Sequence, residues 1–324
     1  MHEASAMIAT AAVTETPAYQ NLLQRGELEA RVEAAWEHLR DCDLCARYCH
    51  VDRLAGIAGA VCRTGEQAIV HSFGPHHGEE APLRGWRGSG TIFFSWCNLR
   101  CVYCQNWDIS QRGEGRAVST EELAAMMLSL QEQGCHNINL VSPSHVVAQI
   151  LAAVNVAARQ GLSLPLVYNT GGYDSLEALT LLDGVIDIYM PDVKYADSGA
   201  ARRLSKVRDY VVVNQAAVKE MHRQVGDLVL DADGIACRGL LVRHLVLPGD
   251  RAGTAEVLHF IAEQISPDTY INIMAQYHPC YRAASYPPLD RALAPEEYEA
   301  ALVTAQRCGL KRLDRPHSRL RWSG

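Results

Sequence analysis

The sequence lacks the basic surplus that would direct it to nucleic acid. Its Lys and Arg residues number 30 against 37 Asp and Glu, which gives a net charge of −7. A protein that binds a phosphate backbone needs many basic side chains on one face, because much of its affinity comes from the release of counterions. We therefore expect no nucleic-acid partner.

Long hydrophobic runs are also scarce, and the start of the chain lacks the marks of a secretory signal. The charge-free stretch of residues 137–158 contains Ser142, Pro143 and Gln149, which favours a strand, a polar loop and a helix over a bilayer span. Residues 1–17 have no basic start and no apolar centre. We expect no membrane segment and a cytoplasmic location.

From residue 88 onward, short β-branched or aromatic runs alternate with helical patterns. This alternation predicts parallel strands joined by right-handed crossovers. An Asp-Gly pair between apolar flanks predicts a β-hairpin over residues 227–239. We expect an α/β fold, a partial (βα)6 barrel of the TIM type, with its chemistry at the carboxyl ends of the strands. The predicted strands are TIFF (91–94), INLV (138–141), PLVY (165–168), IDIYM (186–190), LVRHLVL (241–247) and YINIM (270–274).

The patterns divide the chain into four regions. Residues 1–40 form a frayed leader and one amphipathic helix from about Ala18 to Arg40, and residues 41–87 form a loop-rich, cysteine-rich metal module. Residues 88–280 form the barrel, and residues 281–324 form a C-terminal helical extension. Helix signals are Ser119 with Glu122, Asp174 with Glu177, and Pro295 with Gly309.

Seven of the eleven cysteines fall into two tight groups, and in a reducing compartment they favour metal binding or catalysis over disulfides. The group after the first predicted strand has three thiols, which leaves one corner of a four-iron cluster open. The N-terminal group has four, which suits either a structural zinc ion or a second [4Fe-4S] cluster. The groups are Cys97, Cys101 and Cys104, spaced C-x3-C-x2-C, and Cys42, Cys45, Cys49 and Cys62, spaced C-x2-C-x3-C-x12-C.

The C-x3-C-x2-C spacing, with Tyr103 before the third cysteine, resembles the signature of radical S-adenosylmethionine (SAM) enzymes. The barrel as a whole resembles the pyruvate formate-lyase activating enzyme and its uncharacterised relatives, which carry similar N-terminal cysteine modules. The resemblance implies that Cys97, Cys101 and Cys104 hold a catalytic [4Fe-4S] cluster and that SAM occupies the open iron. It further implies reduction by a flavodoxin or ferredoxin, and hydrogen abstraction from a glycyl-radical enzyme, a peptide or a small metabolite.

The resemblance also implies roles for residues at the strand ends. Those that match the activating enzyme would contact SAM, and the Met-x-Asp-x-Lys segment would also help to bind a monovalent cation. At the second strand, relatives carry Gly-Gly-Glu where this chain has Ser-Pro-Ser, so serine hydroxyls and backbone carbonyls would replace the carboxylate there. The implied cofactor residues are Ser142, Ser144, Asn169, Thr170, Met190, Asp192, Lys194, Arg243 and His278.

Simpler interpretations remain open. Met190 could be a core residue, and Asp192 with Lys194 could be only an ion pair. The whole chain could be a non-catalytic electron carrier or metal-binding scaffold. The polar run of residues 71–85, which contains Glu79 and Glu80, receives no role from the sequence.

Overall fold

The computed structural model describes residues 16–314. The expected leader and the end of the expected C-terminal extension lie outside this part. The helices are α1 (Ala18–Gln24), α2 (Glu27–Glu37), α3 (Ala81–Arg84), α4 (Thr120–Glu132), α5 (Val147–Arg159), α6 (Leu176–Leu182), α7 (Ser198–Ser205), α8 (Tyr210–Val225), α9 (Thr254–Gln264) and α10 (Pro295–Arg307). The strands are β1 (Ala68–His76), β2 (Ser89–Phe94), β3 (Arg116–Val118), β4 (Ile138–Val141), β5 (Leu166–Thr170), β6 (Ile188–Pro191), β7 (Val229–Leu230), β8 (Ala236–Leu245) and β9 (Tyr270–Met274).

The six runs predicted as strands form one parallel series, in the order β2-β4-β5-β6-β8-β9. Helices α4 to α9 lie in the crossovers between these strands. Within residues 16–314 no pairing joins β9 back to the β2 side, so the barrel is open. The predicted partial (βα)6 barrel is confirmed. The predicted hairpin is also present, as the antiparallel pair of β7 with the start of β8.

The sheet extends further toward the N-terminus than the sequence indicated. Strand β1 pairs antiparallel with β2, and β3 pairs antiparallel with β1. Residues 68–87 therefore join the barrel rather than the cysteine-rich module. The segment was hard to identify because its half from residue 71 is Gly-, Pro- and His-rich and mostly exposed, so it lacks the apolar alternation of a strand.

The predicted N-terminal helix is in fact two helices. Gly26, with φ of 71°, separates α1 from α2. Both helices pack on the barrel: the Tyr19 hydroxyl donates to the carbonyl of Leu164 at 3.0 Å, and Arg31 donates to carbonyl oxygens at the end of α6. The amphipathic pattern was correct, but a single continuous helix was wrong.

Two of the three predicted helix starts are confirmed. Ser119 and Glu122 form the capping box of α4, and α10 begins at Pro295. Helix α6 begins one residue later than expected, with Ser175 as its cap. Asp174 is not available for capping, because its buried carboxylate accepts hydrogen bonds from the hydroxyls of Tyr168 and Thr170.

The inside of the barrel is divided into an apolar floor and a polar upper layer. Side chains alternate along each strand, so Val167, Ile188 and Leu241 face inward near the strand starts, and Leu83 of α3 packs against them. The next inward positions on β5 and β8 carry Asn169 and Arg243. Helix α3 thus closes the amino end of the barrel and leaves the polar layer toward the carboxyl end.

Residues 38–67 contain no helix or strand, as expected for a loop-rich module. They nevertheless share the main core, because Leu39 and Leu44 are fully buried in it.

None of the helices within residues 16–314 is long and apolar enough to cross a bilayer.

Candidate active site

The three cysteines of the first motif lie on a loop that leaves the carboxyl end of β2. The loop is fixed by backbone hydrogen bonds to the end of α7, from Arg100 N to Ser205 O at 3.0 Å and from Val102 N to Leu204 O at 2.8 Å. Cys101 is buried, and the thiols of Cys97 and Cys104 are partly buried. The loop is therefore held in place by contacts that do not involve a metal.

Each of these thiols has a hydrogen-bonding group beside it. The Ser205 hydroxyl lies 3.0 Å from Cys101 Sγ, the Ser110 hydroxyl lies 3.1 Å from Cys104 Sγ, and Leu99 N donates to Cys97 Sγ. Burial raises the pKa of Cys104 to about 12, so the free thiol keeps its proton. Iron would have to displace these protons, and the adjacent donors would then stabilise the thiolates.

A cleft opens from the three cysteines across the carboxyl ends of the strands. Its empty volume is about 1020 Å³, a value that includes space open to solvent at the mouth. Its walls combine apolar and polar side chains from β4, β5, β8 and β9 and from the segment that follows β6. From the sequence-predicted set, the cleft is lined by Cys97, Cys101, Cys104, Ser142, Asn169, Thr170, Asp192, Lys194 and Arg243.

Asp192 is the centre of the charged wall of this cleft. Its two carboxylate oxygens accept hydrogen bonds from Lys194 Nζ at 2.6 Å and Arg243 Nε at 2.9 Å. Arg243 also donates from Nη2 to Asn169 Oδ1 at 2.7 Å. Burial acts to raise the pKa of Asp192, but Arg243 and Lys194 outweigh it and hold that pKa below its usual value. The network fixes two cations in a largely desolvated wall.

The second-strand segment contributes one residue to the cleft and one below it. Ser142 lines the cleft at φ of 60°, with its N–H donating to the carbonyl of Asn169 at 2.9 Å. Ser144 is buried and lies 3.0 Å from the Thr170 hydroxyl. Ser142 can thus contact a ligand directly, whereas Ser144 positions Thr170.

Besides Ser144, two residues of the predicted set do not line the cleft. Met190 is fully buried and packs on the barrel floor with Leu83 and Val167. His278 is exposed at the rim, where its Nδ1 lies 3.3 Å from Nε2 of Gln105, a residue that lines the cleft. Met190 therefore supports the interior, and only a ligand that extends past the rim could reach His278.

The structure adds a carboxyl pair that received no role from the sequence. Glu80 Oε1 accepts from Asn272 Nδ2 at 2.9 Å, and Asn272 lies next to Arg243 in the strand register. Within residues 16–314, the buried Oε2 of Glu80 has no hydrogen-bond partner. Burial and the adjacent Glu80 raise the pKa of Glu79 to about 7. Two adjacent glutamates after a glycine are typical of an exposed turn, so nothing local could have revealed that Glu80 is buried and Glu79 half-buried.

The four N-terminal cysteines also lie near one another. Cys42, Cys45 and Cys62 are buried, and Cys49 is partly exposed. Burial raises the pKa of Cys45 above its usual range, and the thiols of Cys62, Cys42 and Cys49 add to this effect. Within residues 16–314, no group of three or more His, Cys, Asp or Glu side chains converges closely enough to hold a single metal ion. A four-iron cluster binds each thiolate through a different iron, so it does not need such convergence.

Comparisons with known proteins agree with this geometry. A profile described as the Radical SAM superfamily matches residues 91–226, and a curated relative matches most of the chain. The chain belongs to the radical SAM superfamily. That relative is Uncharacterized protein MJ0674 of Methanocaldococcus jannaschii, 31% identical over 291 residues that cover 87% of this chain and 79% of the relative.

Three solved structures show weaker similarity. Methylornithine synthase (PylB) is 15% identical with a TM-score of 0.46, covering 91% of this chain and 77% of that one. HydG, a maturase of the [FeFe]-hydrogenase, is 12% identical with a TM-score of 0.45, covering 67% and 48%. TYW1 with a lysine-pyruvate adduct is 10% identical with a TM-score of 0.36, covering 56% and 63%. The chain thus spans less than two thirds of the HydG and TYW1 chains, and none of these similarities transfers an activity.

The family and the cleft together define the class of reaction. Radical SAM proteins cleave SAM reductively at a [4Fe-4S] cluster, and this chain is an enzyme of that class. Three thiols beside an open cleft with fixed cations fit a cluster whose fourth iron binds a charged cofactor.

Proposed function

We propose that the chain is a radical SAM enzyme that abstracts a hydrogen atom from a substrate held next to the cleft. Cys97, Cys101 and Cys104 would hold the cluster, and the polar strand-end residues would hold SAM. The observation that carries the proposal is that these three cysteines and the Asp192 network line one cleft. An electron carrier without catalysis would not need such a wall beside its open iron.

The cluster, when bound, supplies one electron that breaks the S–C5′ bond of SAM, giving methionine and a 5′-deoxyadenosyl radical. The chain's own residues bind and shield. Arg243 and Lys194, fixed by Asp192, would pair with the methionine carboxylate of SAM. Ser142 and Thr170 would hold its amino group or ribose, while Leu99, Leu245 and Met274 form apolar parts of the wall that exclude water.

A monovalent cation at the Met-x-Asp-x-Lys segment stays a prediction. Asp192 would be one of its ligands, and each of its oxygens accepts one hydrogen bond, from Lys194 or from Arg243. Met190, the other implied residue, is buried in the barrel floor.

The resemblance to the pyruvate formate-lyase activating enzyme favours a glycyl residue on a partner enzyme as the target. A peptide or small metabolite is the second candidate, because the acidic pair Glu79 and Glu80 lies near Arg243 inside the barrel.

The partners follow from the chemistry. The electron would come from a reduced flavodoxin or ferredoxin. The four N-terminal cysteines would hold a second metal centre, for which the C-x2-C-x3-C spacing, similar to that of ferredoxin-type runs, favours a [4Fe-4S] cluster over zinc. The cytoplasmic location stays a prediction.

The test is anaerobic incubation of the reconstituted protein with dithionite and SAM, followed by mass spectrometry for 5′-deoxyadenosine. We expect product from the wild type and from Cys308→Ala, whose thiol lies outside both groups, and none from Cys97→Ala. A wild-type protein with a full, reducible cluster that makes no 5′-deoxyadenosine would contradict the proposal and favour the electron-carrier interpretation.

A further inference from the structure

The two cysteine groups are in direct contact in the folded protein. Arg47, which lies between Cys45 and Cys49 in the sequence, donates from Nε to the carbonyl of Asn98 at 2.6 Å. In the opposite direction, Arg100 of the barrel loop donates from Nη2 to the carbonyl of Val61. Asn98 and Val61 are the immediate sequence neighbours of Cys97 and Cys62. Each group thus holds the backbone of the other next to one of its cysteines.

Arg100 lies between the two groups. Its guanidinium interacts electrostatically with the thiols of Cys97 and Cys62. Both thiols are therefore near the same guanidinium. Arg100 also lies over the ring of Trp96, with its Cζ 5.8 Å from the ring centroid.

Three arginine side chains near the N-terminal group have no carboxylate partner among residues 16–314. Arg53 is 2% exposed, and its hydrogen bonds go to the carbonyls of Thr64 and Gly65 and to Sγ of Cys42 at 3.5 Å. In the described part of the chain, none of Arg47, Arg53 and Arg100 pairs with a carboxylate. We call these three residues the arginine layer.

One nitrogen of the arginine layer lacks even a neutral partner. Nη2 of Arg47 is buried and makes no hydrogen bond within residues 16–314. Buried cations are costly unless they are paired. Thiolates bound in two metal centres would supply the missing negative charge on both sides of the layer.

The four N-terminal cysteines differ in their exposure to solvent, so the group has a buried side and an exposed side. Cys62 and Cys42 face the arginine layer, whereas Cys49 is partly exposed between Tyr48 and His50, both of which are exposed. The Cys49 corner of a metal centre bound by these cysteines would therefore be exposed to solvent and to an electron-donor protein that docks there. The opposite corner would meet the loop of the catalytic cysteines.

We propose that Cys42, Cys45, Cys49 and Cys62 hold a [4Fe-4S] cluster that acts as the electron entry of the enzyme, taking electrons at the Cys49 corner and passing them through the Val61–Arg100 contact to the cluster on Cys97, Cys101 and Cys104. This inference rests on the proposed function of the barrel site.

The electron count of the relay is simple. A reduced flavodoxin or ferredoxin loses one electron, and the N-terminal cluster passes from the 2+ to the 1+ state. It returns to 2+ when the catalytic cluster is reduced from 2+ to 1+. No proton or atom moves between the two centres. The arginine layer would stabilise the more negative, reduced state of both, because positive neighbours favour reduction.

The experiment measures reduction of the catalytic cluster by freeze-quench electron paramagnetic resonance (EPR), comparing wild type with Cys45→Ser. With reduced flavodoxin or ferredoxin as donor, the variant should reduce its catalytic cluster roughly tenfold or more slowly, because the direct route is longer. With dithionite, a small reductant that reaches both centres, the two proteins should react at similar rates. Cys308→Ser serves as the control for loss of a thiol and should behave like the wild type.

Two further measurements keep the result unambiguous. Metal analysis should show the iron content of Cys45→Ser at half the wild-type value, and fully reduced wild type should show an EPR signal broadened by coupling between adjacent clusters. Arg47→Met keeps all seven cysteines and should retain full iron content while slowing reduction by the protein donor several-fold.

Zinc in the N-terminal group, or equal rates with the protein donor for wild type and Cys45→Ser, would overturn the relay. Because reduction is read by EPR, these results are independent of whether SAM is cleaved. Failure of the proposed function would instead appear as normal reduction of the catalytic cluster without 5′-deoxyadenosine.

Discussion

At the scale of single residues, the site depends on one carboxylate that serves two cations. The Asp192 and Arg243 side chains are 14% and 18% exposed, so their mutual attraction is only partly screened by water. Lys194 shares the same carboxylate. Loss of the Asp192 charge would therefore leave two largely buried cations without an anion.

Asp192→Asn should weaken SAM binding and destabilise the fold. We expect a loss of about 3 kcal/mol in the free energy of unfolding, the usual cost of removing one partner from a buried ion pair. SAM affinity, measured by anaerobic calorimetry, should fall because Lys194 and Arg243 are no longer held in place. Asp233→Asn, on the exposed hairpin turn, is the control and should change neither quantity. Unchanged SAM affinity in Asp192→Asn would remove this network from the binding site.

Glu79 should make the stability of the protein depend on pH. Its pKa is raised from 4.5 to about 7, so the folded protein holds this proton more tightly than the unfolded chain does. The stabilisation is complete below about pH 4.5 and is lost as the pH rises through 7. Between pH 5 and 8 the wild type should lose about 2 kcal/mol of unfolding free energy that Glu79→Gln does not lose.

This difference can be measured by anaerobic unfolding at several pH values in that range. Glu132→Gln, an exposed glutamate at the end of α4, is the matched control and should follow the wild type. Parallel pH profiles for wild type and Glu79→Gln would show that the carboxyl pair is not buried as described.

At the scale of elements, the break between α1 and α2 depends on a backbone conformation that favours glycine. Gly26 has φ of 71°, and a Cβ built there would meet nothing within 4 Å. Gly26→Ala should therefore cost about 1 kcal/mol from backbone strain alone, because L-residues other than Asn and Asp rarely adopt this conformation. Gly26→Asn should cost less, and thermal unfolding of the two variants side by side distinguishes them. Equal melting temperatures would mean that the two helices merge in solution.

Most elements could be predicted from local pattern, and the failures have local causes. The six parallel strands carry β-branched or aromatic runs, so their identity follows from spacing. Strand β1 does not, because its half from residue 71 is mostly exposed and lacks apolar alternation. Asp174 looked like a helix cap, yet its carboxylate is used by Tyr168 and Thr170, which the sequence separates from it by six and four positions.

At the scale of the whole molecule, the module of residues 41–62 depends on its cysteines and on a few buried anchors. It has no helix or strand, and Leu44 fixes it to the main core. Loss of its metal centre should loosen this segment locally while the barrel stays folded, because local opening follows low density of backbone hydrogen bonds and packing.

Hydrogen exchange should show this directly. In Cys45→Ser, amides of residues 41–62 should exchange much faster than in the wild type, and amides of α5 and β5 should be unchanged. Cys308→Ser should leave both regions unchanged. Faster exchange throughout the barrel would mean that the module and the barrel unfold as one unit.

The sequence by itself determined the chemistry of those groups whose residues lie close together along the chain. The two cysteine groups lie within eight and 21 residues, and the strand–helix alternation repeats over similarly short distances, so both could be found without a structure. The class of enzyme followed from these local signals.

Only the tertiary structure decided which distant side chains meet. Arg243 reaches Asn169 across 74 positions, Glu80 reaches Asn272 across 192, and Arg100 reaches Val61 across 39. It also placed Met190 in the barrel floor and Ser144 beneath the cleft. The physical reason is that strand order and loop packing set these contacts, and the separation of two residues along the chain does not specify either.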